Sequence, residues 1–378
     1  MRLVHLVLNE FRNFKHSQVE LRPRLNFFVG DNGQGKTNLL EAVYLLCRGT
    51  SFRPSDSTTL LRRGGPGRAK IGGYFIHRDL SYKVEFGIEP GRKVAKINEK
   101  STNSAGLMAR LPVVLFSPES LSAIKDGPEQ RRELIDEVLI NHDPRQARIL
   151  REFSKALRSR NRLLKNIAEG IGSRGAHEAS LESLNKIYFL LATHLTTARL
   201  KALKDLEPEF RNAMRSILEE PDADIAVDYV ISGESALHWS EAEVFDALQK
   251  RHRELAAQEL ASGHSLVGPH KHDIKLLFHG NDSRFYCSQG QQRALILALK
   301  IAQIVYHHRV HELYPILLLD DVTSELDAKK RVSLMKFLEG ISAQILITST
   351  DLTWADHFEH EKNSVFWVAD GVIEMKTS

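Results

Sequence analysis

The chain has 378 residues, enough for a large core, with 42% hydrophobic and 26% charged residues and a formal net charge of only +4. The composition is that of an ordinary globular protein, and no apolar run approaches the ~18 residues of a membrane span, which argues against an integral membrane protein. With so small a net charge, any nucleic-acid surface has to come from local clustering of the 52 Lys and Arg.

The opening MRLVHLVLNEFRNF lacks an apolar core followed by a small-residue cleavage site, so the expected location is the cytoplasm. Cys47 and Cys287 have no CxxC or Cys/His partner pattern, which fits a reducing compartment and argues against zinc. Both read as small buried residues.

LVHLVLNEF and VELRPRLNFFVG are strand-like, and the second runs into GDNGQGKTNLLEAVYLL, a strand, glycine loop and helix in succession. Gly30, Gly35, Lys36 and Thr37 fit GxxxxGK[ST], and Gly33 adds further freedom. In such a loop, formed here by Gly30, Asp31, Asn32, Gly33, Gln34, Gly35, Lys36 and Thr37, backbone N–H groups close around phosphates. Lys36 then reaches the β/γ-phosphates and the Thr37 hydroxyl ligates Mg²⁺. A nucleotide and Mg²⁺ are therefore the expected ligands.

Further strands are expected at KIGGYFIHR, YKVEFGIEP, KVAKIN and LPVVLFSP, separated by Gly, Pro and Asn turn signals. From about Pro128 to Ser262 the texture is helical. Glu169 to Gly175 reads as the turn of a helical hairpin, and Leu181, Leu184, Tyr188, Leu191, Leu195, Ala198 and Ala202 form a seam on its second arm. On the first arm Arg148, Arg151, Lys155, Arg158, Arg162 and Lys165 follow at three and four residue steps and share one face, with Leu150, Phe153, Leu157 and Leu164 roughly opposite. Two readings stay open: a DNA backbone surface, or a plain solvated face. Arg62, Arg63, Arg68 and Lys70 form a second basic cluster. Neither cluster has interleaved aromatics, so base stacking on single strands has little support.

After SLVGPHKHD the α/β texture returns, with a helix from about Gln291 to His308 and the apolar strands PILLLDD and AQILITST, of the kind a covered parallel sheet uses. Asp320, at the end of Ile316 to Leu319, is the expected Mg²⁺ partner, since a carboxylate there points into the crevice at the sheet's carboxyl edge. Asp321 is placed to orient or deprotonate an attacking water. The expected fold is an α/β P-loop head, residues 1–125 and 263–378, with a helical arm, 126–262, inserted.

SQGQQRALILALK, Ser288 to Lys300, resembles the signature motif of ABC-type ATPases, and SELD, Ser324 to Asp327, resembles their D-loop. The segments LNEFRNF, SFRPSDSTTLLRRG, KDGPEQRRELID and GHSLVGPHKHDI extend the resemblance nearly end to end to the RecF family of bacterial recombinational repair proteins. The resemblance implies an ATP-dependent homodimer in which Ser288, Gly290 and Gln291 meet the partner's nucleotide, with Asp327 also at the site. It implies binding to duplex and gapped DNA, RecR and RecO as partners, recombinase loading at gaps, and no membrane. Two departures stand out. The family's common GPHRDD is GPHKHD here, so Lys271 replaces an arginine and His272 an acid. Asp321 stands where transporters of the superfamily have Glu, and the lobe-linking Gln and switch His are missing, with Ser349 and Thr350 as candidates for the latter position. Slow hydrolysis is the implied consequence. The rival readings are a transporter's ATPase subunit and a soluble P-loop kinase.

Overall fold

The computed structural model describes residues 1–378 apart from 54, 79, 123, 125–126, 219, 221, 323–325, 352–362 and 376–378. Ser324 and Glu325 of the SELD tetrad, and Lys125 and Asp126 of KDGPEQRRELID, lie outside the described residues. The fold is mixed α/β, and the chain divides into two compact units. The first comprises Met1–Ser122, Ser216–Glu220 and Ile296–Ser378; the second comprises Ala123–Arg215 and Pro221–Leu295.

The first unit holds two sheets. One is antiparallel, built on Arg2–Phe11, Ala69–His77, Leu80–Glu89 and Arg92–Ile97. The alternation in these runs explains its two faces: Ile71, Gly73 and Phe75, and Val84 and Phe86, are buried, while Gly72, Tyr74 and Glu85 between them are not. In the other sheet Leu25–Val29 lies between Ile345–Ser349 and Asn363–Ala369, parallel to both, and Ile316–Leu319 lies between Ile345–Ser349 and Val113–Phe116. Every residue of Leu25–Val29, Ile316–Leu319 and Ile345–Ser349 is buried, as expected of strands covered on both faces. The helix Lys36–Arg48 packs its apolar residues into the same core and is closed by Gly49 in the left-handed conformation, φ 74°.

The second unit carries the basic helix Gln146–Ala168, the long helix Arg174–Leu218 up to Arg215, and the helix Glu241–Ser262. The turn expected at 169–175 separates the first two. In the seam, Tyr188 and Leu195 are fully buried and Leu181 and Ala202 nearly so. Three ion pairs brace the unit from within. Buried Arg160 donates twice to Glu259, Arg199 clasps Asp136, and Arg131 clasps Asp273.

Two expectations about this region need correction. The stretch from Pro128 to Ser262 is interrupted by a strand, Ile225–Ile231, and that strand pairs antiparallel with Asp273–Phe278. That pairing places Asp273–Phe278 in the second unit, which runs to Leu295, since strand periodicity says nothing about which sheet a strand will join. In addition, Cys47 is buried as expected but Cys287 is only partly so. Among the described residues no helix is long and apolar enough to cross a membrane.

Candidate functional site

The strand Leu25–Val29 delivers Gly30 to the carboxyl edge of the parallel sheet, where the loop turns into the helix beginning at Lys36. Three glycines are required there for different reasons. A Cβ on Gly30 would stand 2.2 Å from the Val368 carbonyl oxygen, Gly33 has φ +82°, and Gly35 combines φ +113° with a Cβ position 2.4 Å from Asn13 Nδ2. The loop is tied down from outside. Asn13 Nδ2 donates to the Gln34 carbonyl (2.8 Å), and Gln34 Oε1 accepts from the Asp370 N–H (2.6 Å). Asp31, Asn32 and Gly33 at its crest are exposed.

Lys36 folds its ammonium back onto the loop, donating to the carbonyls of Gly30 (2.6 Å) and Asp31 (2.8 Å). Burial lowers its pKa, against the opposing pull of Asp321, Asp31 and Asp320. Thr37 Oγ1 donates to Asp320 Oδ1 at 2.9 Å, across 283 residues of sequence. Thr348, on the neighbouring strand, donates to the same oxygen at 2.9 Å and accepts the Asp321 N–H at 2.9 Å. Asp320 is only 4% exposed, and burial raises its pKa, outweighing the two hydroxyl bonds that lower it. Hydroxyl and carboxylate oxygens converging on one buried point are the hard donors that Mg²⁺ takes alongside phosphate oxygens and water. Among the described residues no cluster of three His, Cys, Asp or Glu forms a metal cage, which a nucleotide-bridged Mg²⁺ does not need.

Asp321 adopts φ +48°, an uncommon left-handed conformation for a residue other than glycine, and its N–H is held by Thr348. Of the positions proposed for the missing switch residue, Thr350 is exposed, and the Ser349 hydroxyl accepts from the Asp351 N–H at 3.2 Å. Thr348, which precedes both, is the residue that joins the two acids. Asp327 caps the helix Ala328–Gly340, accepting the Lys330 N–H and pairing with its ammonium.

On the helix itself sits a constellation that no motif marked. Glu41 has no exposed side-chain surface and receives Arg12 through two bonds (2.8 and 2.7 Å), Arg53 (2.5 Å) and Ser51 (2.5 Å). Burial alone would raise its pKa, yet these donors hold the carboxyl below its ordinary value. Arg53 also donates to Asn38, which donates to Asn13, so one network runs from the Glu41 clamp to the phosphate loop.

In the second unit Ser288 and Gln291 bond reciprocally: the Ser288 N–H donates to Gln291 Oε1 (2.9 Å) and the Gln291 N–H to Ser288 Oγ (3.2 Å). Ser288 thereby caps the helix Gln289–His311, whose first turn includes Gly290, and that helix start is suited to an anion. Buried Gln292 fixes the preceding turn through the carbonyls of Ser283 and Cys287. On the basic helix Arg148, Arg151, Lys155, Arg158, Arg162 and Lys165 are all exposed, while Phe153 and Leu164 are buried. Arg148 and Lys165 meet Glu152 and Glu169. In the second basic cluster Arg62 is paired with Glu10 and Lys70 with Glu85.

Residues 2–374 match the model of the RecF/RecN/SMC N terminal domain family. The protein called "DNA replication and repair protein RecF" in Heliobacterium modesticaldum is 35% identical over 354 residues, covering 93% of each chain. The chain belongs to the RecF family. Its counterpart of the same name in Geobacter sp. (strain M21) is 34% identical over 99% of this chain and 100% of its own. A solved structure described as the recombination mediator protein RecF-ATPrS in the RecFOR pathway matches with a TM-score of 0.87 at 30% identity, covering 100% of this chain and 98% of that one. An Smc head domain from Pyrococcus furiosus matches at a TM-score of 0.56 and 16% identity, which shows the shared ABC-type ATPase head fold of RecF and SMC proteins.

Proposed function

We propose that this chain is an ATP-dependent DNA-binding protein of recombinational repair, in which nucleotide sets the lifetime of a DNA-bound homodimer. The observation that carries the reading is Asp320: a buried carboxylate with raised pKa, bonded among the described residues by the hydroxyls of Thr37 and Thr348 at the mouth of a phosphate loop. A nucleotide-bound Mg²⁺ would stabilise its ionised form. Thr37 and Asp320 would hold that ion, which when bound neutralises phosphate charge. Lys36 exchanges two loop carbonyls for phosphate oxygens, and the loop N–H groups receive the remaining charge. Asp321, oriented through Thr348, orients the attacking water and takes its proton. Its short side chain supports slow hydrolysis, suited to a switch.

The capped helix start at Ser288 meets the nucleotide of a second copy, together with Gly290 and Gln291, while Asp327 lies at the same interface. The six exposed cations of the basic helix contact duplex or gapped DNA through its phosphates, without sequence preference. The unit containing this helix is the arm, the other the head. By family membership the reading includes RecR and RecO as partners, recombinase loading at gaps, and a cytoplasmic location.

The test is anisotropy of labelled duplex and gapped DNA with ATP and Mg²⁺, with ADP, and without nucleotide, across a salt series. The expected result is tight, salt-sensitive binding with ATP only, and a flatter salt slope when Arg151, Lys155 and Arg158 are changed to Glu. No DNA binding in any state would overturn the reading, and an unchanged slope would remove the basic helix from it.

A further inference from the structure

The helix Glu241–Ser262 has a second basic stretch, Lys250, Arg251 and Arg253, that the nucleotide and DNA readings leave unused. Two cavities lie along this helix, and both include Ala247. The smaller, about 180 Å³, is walled by Leu248, Leu255, Leu266 and Val267, with Arg251 and Lys271 also lining it. Among the described residues no carboxylate lines it. The larger, about 550 Å³, is lined by Phe245, Lys250 and Arg253 with Asp246 as its only acid among the described residues. Phe245 is 41% exposed. Glu254 is already engaged by Arg251 at 2.8 Å.

The combination of apolar wall and cationic border separates this surface from the basic helix Gln146–Ala168. There the exposed face presents charge, and the aromatic and leucine side chains Phe153 and Leu164 are buried. A phosphodiester backbone has no use for an apolar pocket, whereas a protein partner inserts a large side chain and surrounds it with complementary charge. A cavity of 180 Å³ takes one such side chain. Lys271 contributes to the positive border from the GPHKHD segment, whose backbone is pinned in place: Tyr188 donates to the Val267 carbonyl at 2.6 Å and Arg199 to that of Pro269 at 2.9 Å. Gly268, at φ +136°, packs so closely on Tyr188 that a Cβ there would stand 2.4 Å from its hydroxyl oxygen. The pocket wall is thus preformed.

We propose that these two cavities dock a partner polypeptide in which a large apolar side chain is flanked by carboxylates. The side chain enters between Leu248, Leu255 and Val267, and the carboxylates meet Arg251, Lys271, Lys250 and Arg253. The proposal does not depend on the nucleotide site.

The probe is a short fluorescein-labelled peptide with one phenylalanine set among glutamates, titrated against the full chain without nucleotide. Saturable binding is expected. It should weaken by about tenfold or more when Arg251 and Lys271 are both changed to Glu, and similarly when serine replaces the peptide's phenylalanine. Both substituted residues are exposed, so the fold is retained, and Arg253→Glu gives an independent second reading. No saturable binding, or binding indifferent to both the charge reversals and the phenylalanine, would overturn the proposal. So would duplex DNA affinity falling in the reversed variant while the peptide does not bind, which would assign these cations to nucleic acid.

Discussion

Two buried carboxylates touch the helix Lys36–Arg48, and their surroundings treat them in opposite ways. Glu41 is gripped by two guanidinium groups and a hydroxyl, and its pKa lies below the ordinary value. Asp320 meets the helix through Thr37, its carboxylate has only hydroxyl donors among the described residues, and its pKa lies above. One charge is met by two guanidinium groups, the other by hydroxyls. Burial of a charge is costly in both places, and the proposed function uses the difference, with Glu41 as a structural acid and Asp320 as a ligand-binding one.

The largest effect expected is on Glu41. Glu41→Ala leaves Arg12 and Arg53 facing a space with no anion, and unfolding in guanidinium chloride should show a loss on the order of 3 kcal/mol. Phosphate-loop function should fall with it, because Arg53 reaches Asn13 through Asn38. A variant as stable as the native chain would show that the clamp is dispensable. Asp320→Asn should do the reverse. The fold should hold or gain stability, while Mg²⁺-dependent ATP affinity, read by equilibrium dialysis of labelled nucleotide, should drop roughly tenfold or more, equivalent to ~1.4 kcal/mol. Unchanged affinity would remove Asp320 from the metal site.

Thr348→Val tests the link between the two acids. It removes a donor from Asp320 and an acceptor from the Asp321 N–H, so a cost of about 1–3 kcal/mol is expected. Turnover, followed by phosphate release, should fall further than nucleotide affinity, since Asp321 loses its orientation. Equal losses in both would make Thr348 a packing residue only.

These residues also mark where sequence reading stops. The phosphate loop and Asp320 are legible because each follows a run of buried strand residues, and strand ends at a sheet's carboxyl edge have a fixed meaning. Glu41 reads as one polar position in an amphipathic helix, and its partners Arg12 and Arg53 come from separate segments 29 and 12 residues away. Thr348 is one of several hydroxyl residues in ITST, and only the strand's facing decides which of them reaches the acids. The same limit applies to Asp273–Phe278, plainly a strand by alternation, whose membership of the second unit depends on its pairing with Ile225–Ile231.

The finest distinction between the two acids is in their pH dependence. Asp320 has a folded pKa above its unfolded value, so the folded chain binds the extra proton, and this group's contribution to stability falls as pH rises through the folded pKa. Glu41 has a folded pKa below its unfolded value, so its contribution is present above the ordinary carboxylate range and is lost as pH falls through the folded pKa. The stability gained by Asp320→Asn should therefore be greatest near neutral pH and shrink on acidification. The stability lost by Glu41→Gln should also be greatest near neutral pH and close as pH falls through the folded pKa. Urea unfolding of the native chain and both variants across the acid range measures the two differences directly. The signs are what decide: near neutral pH one substitution should stabilise and the other destabilise, and both differences should close in acid. If Asp320→Asn destabilises near neutral pH, or if Glu41→Gln costs nothing there, the contrast between a compensated and an uncompensated carboxylate is wrong.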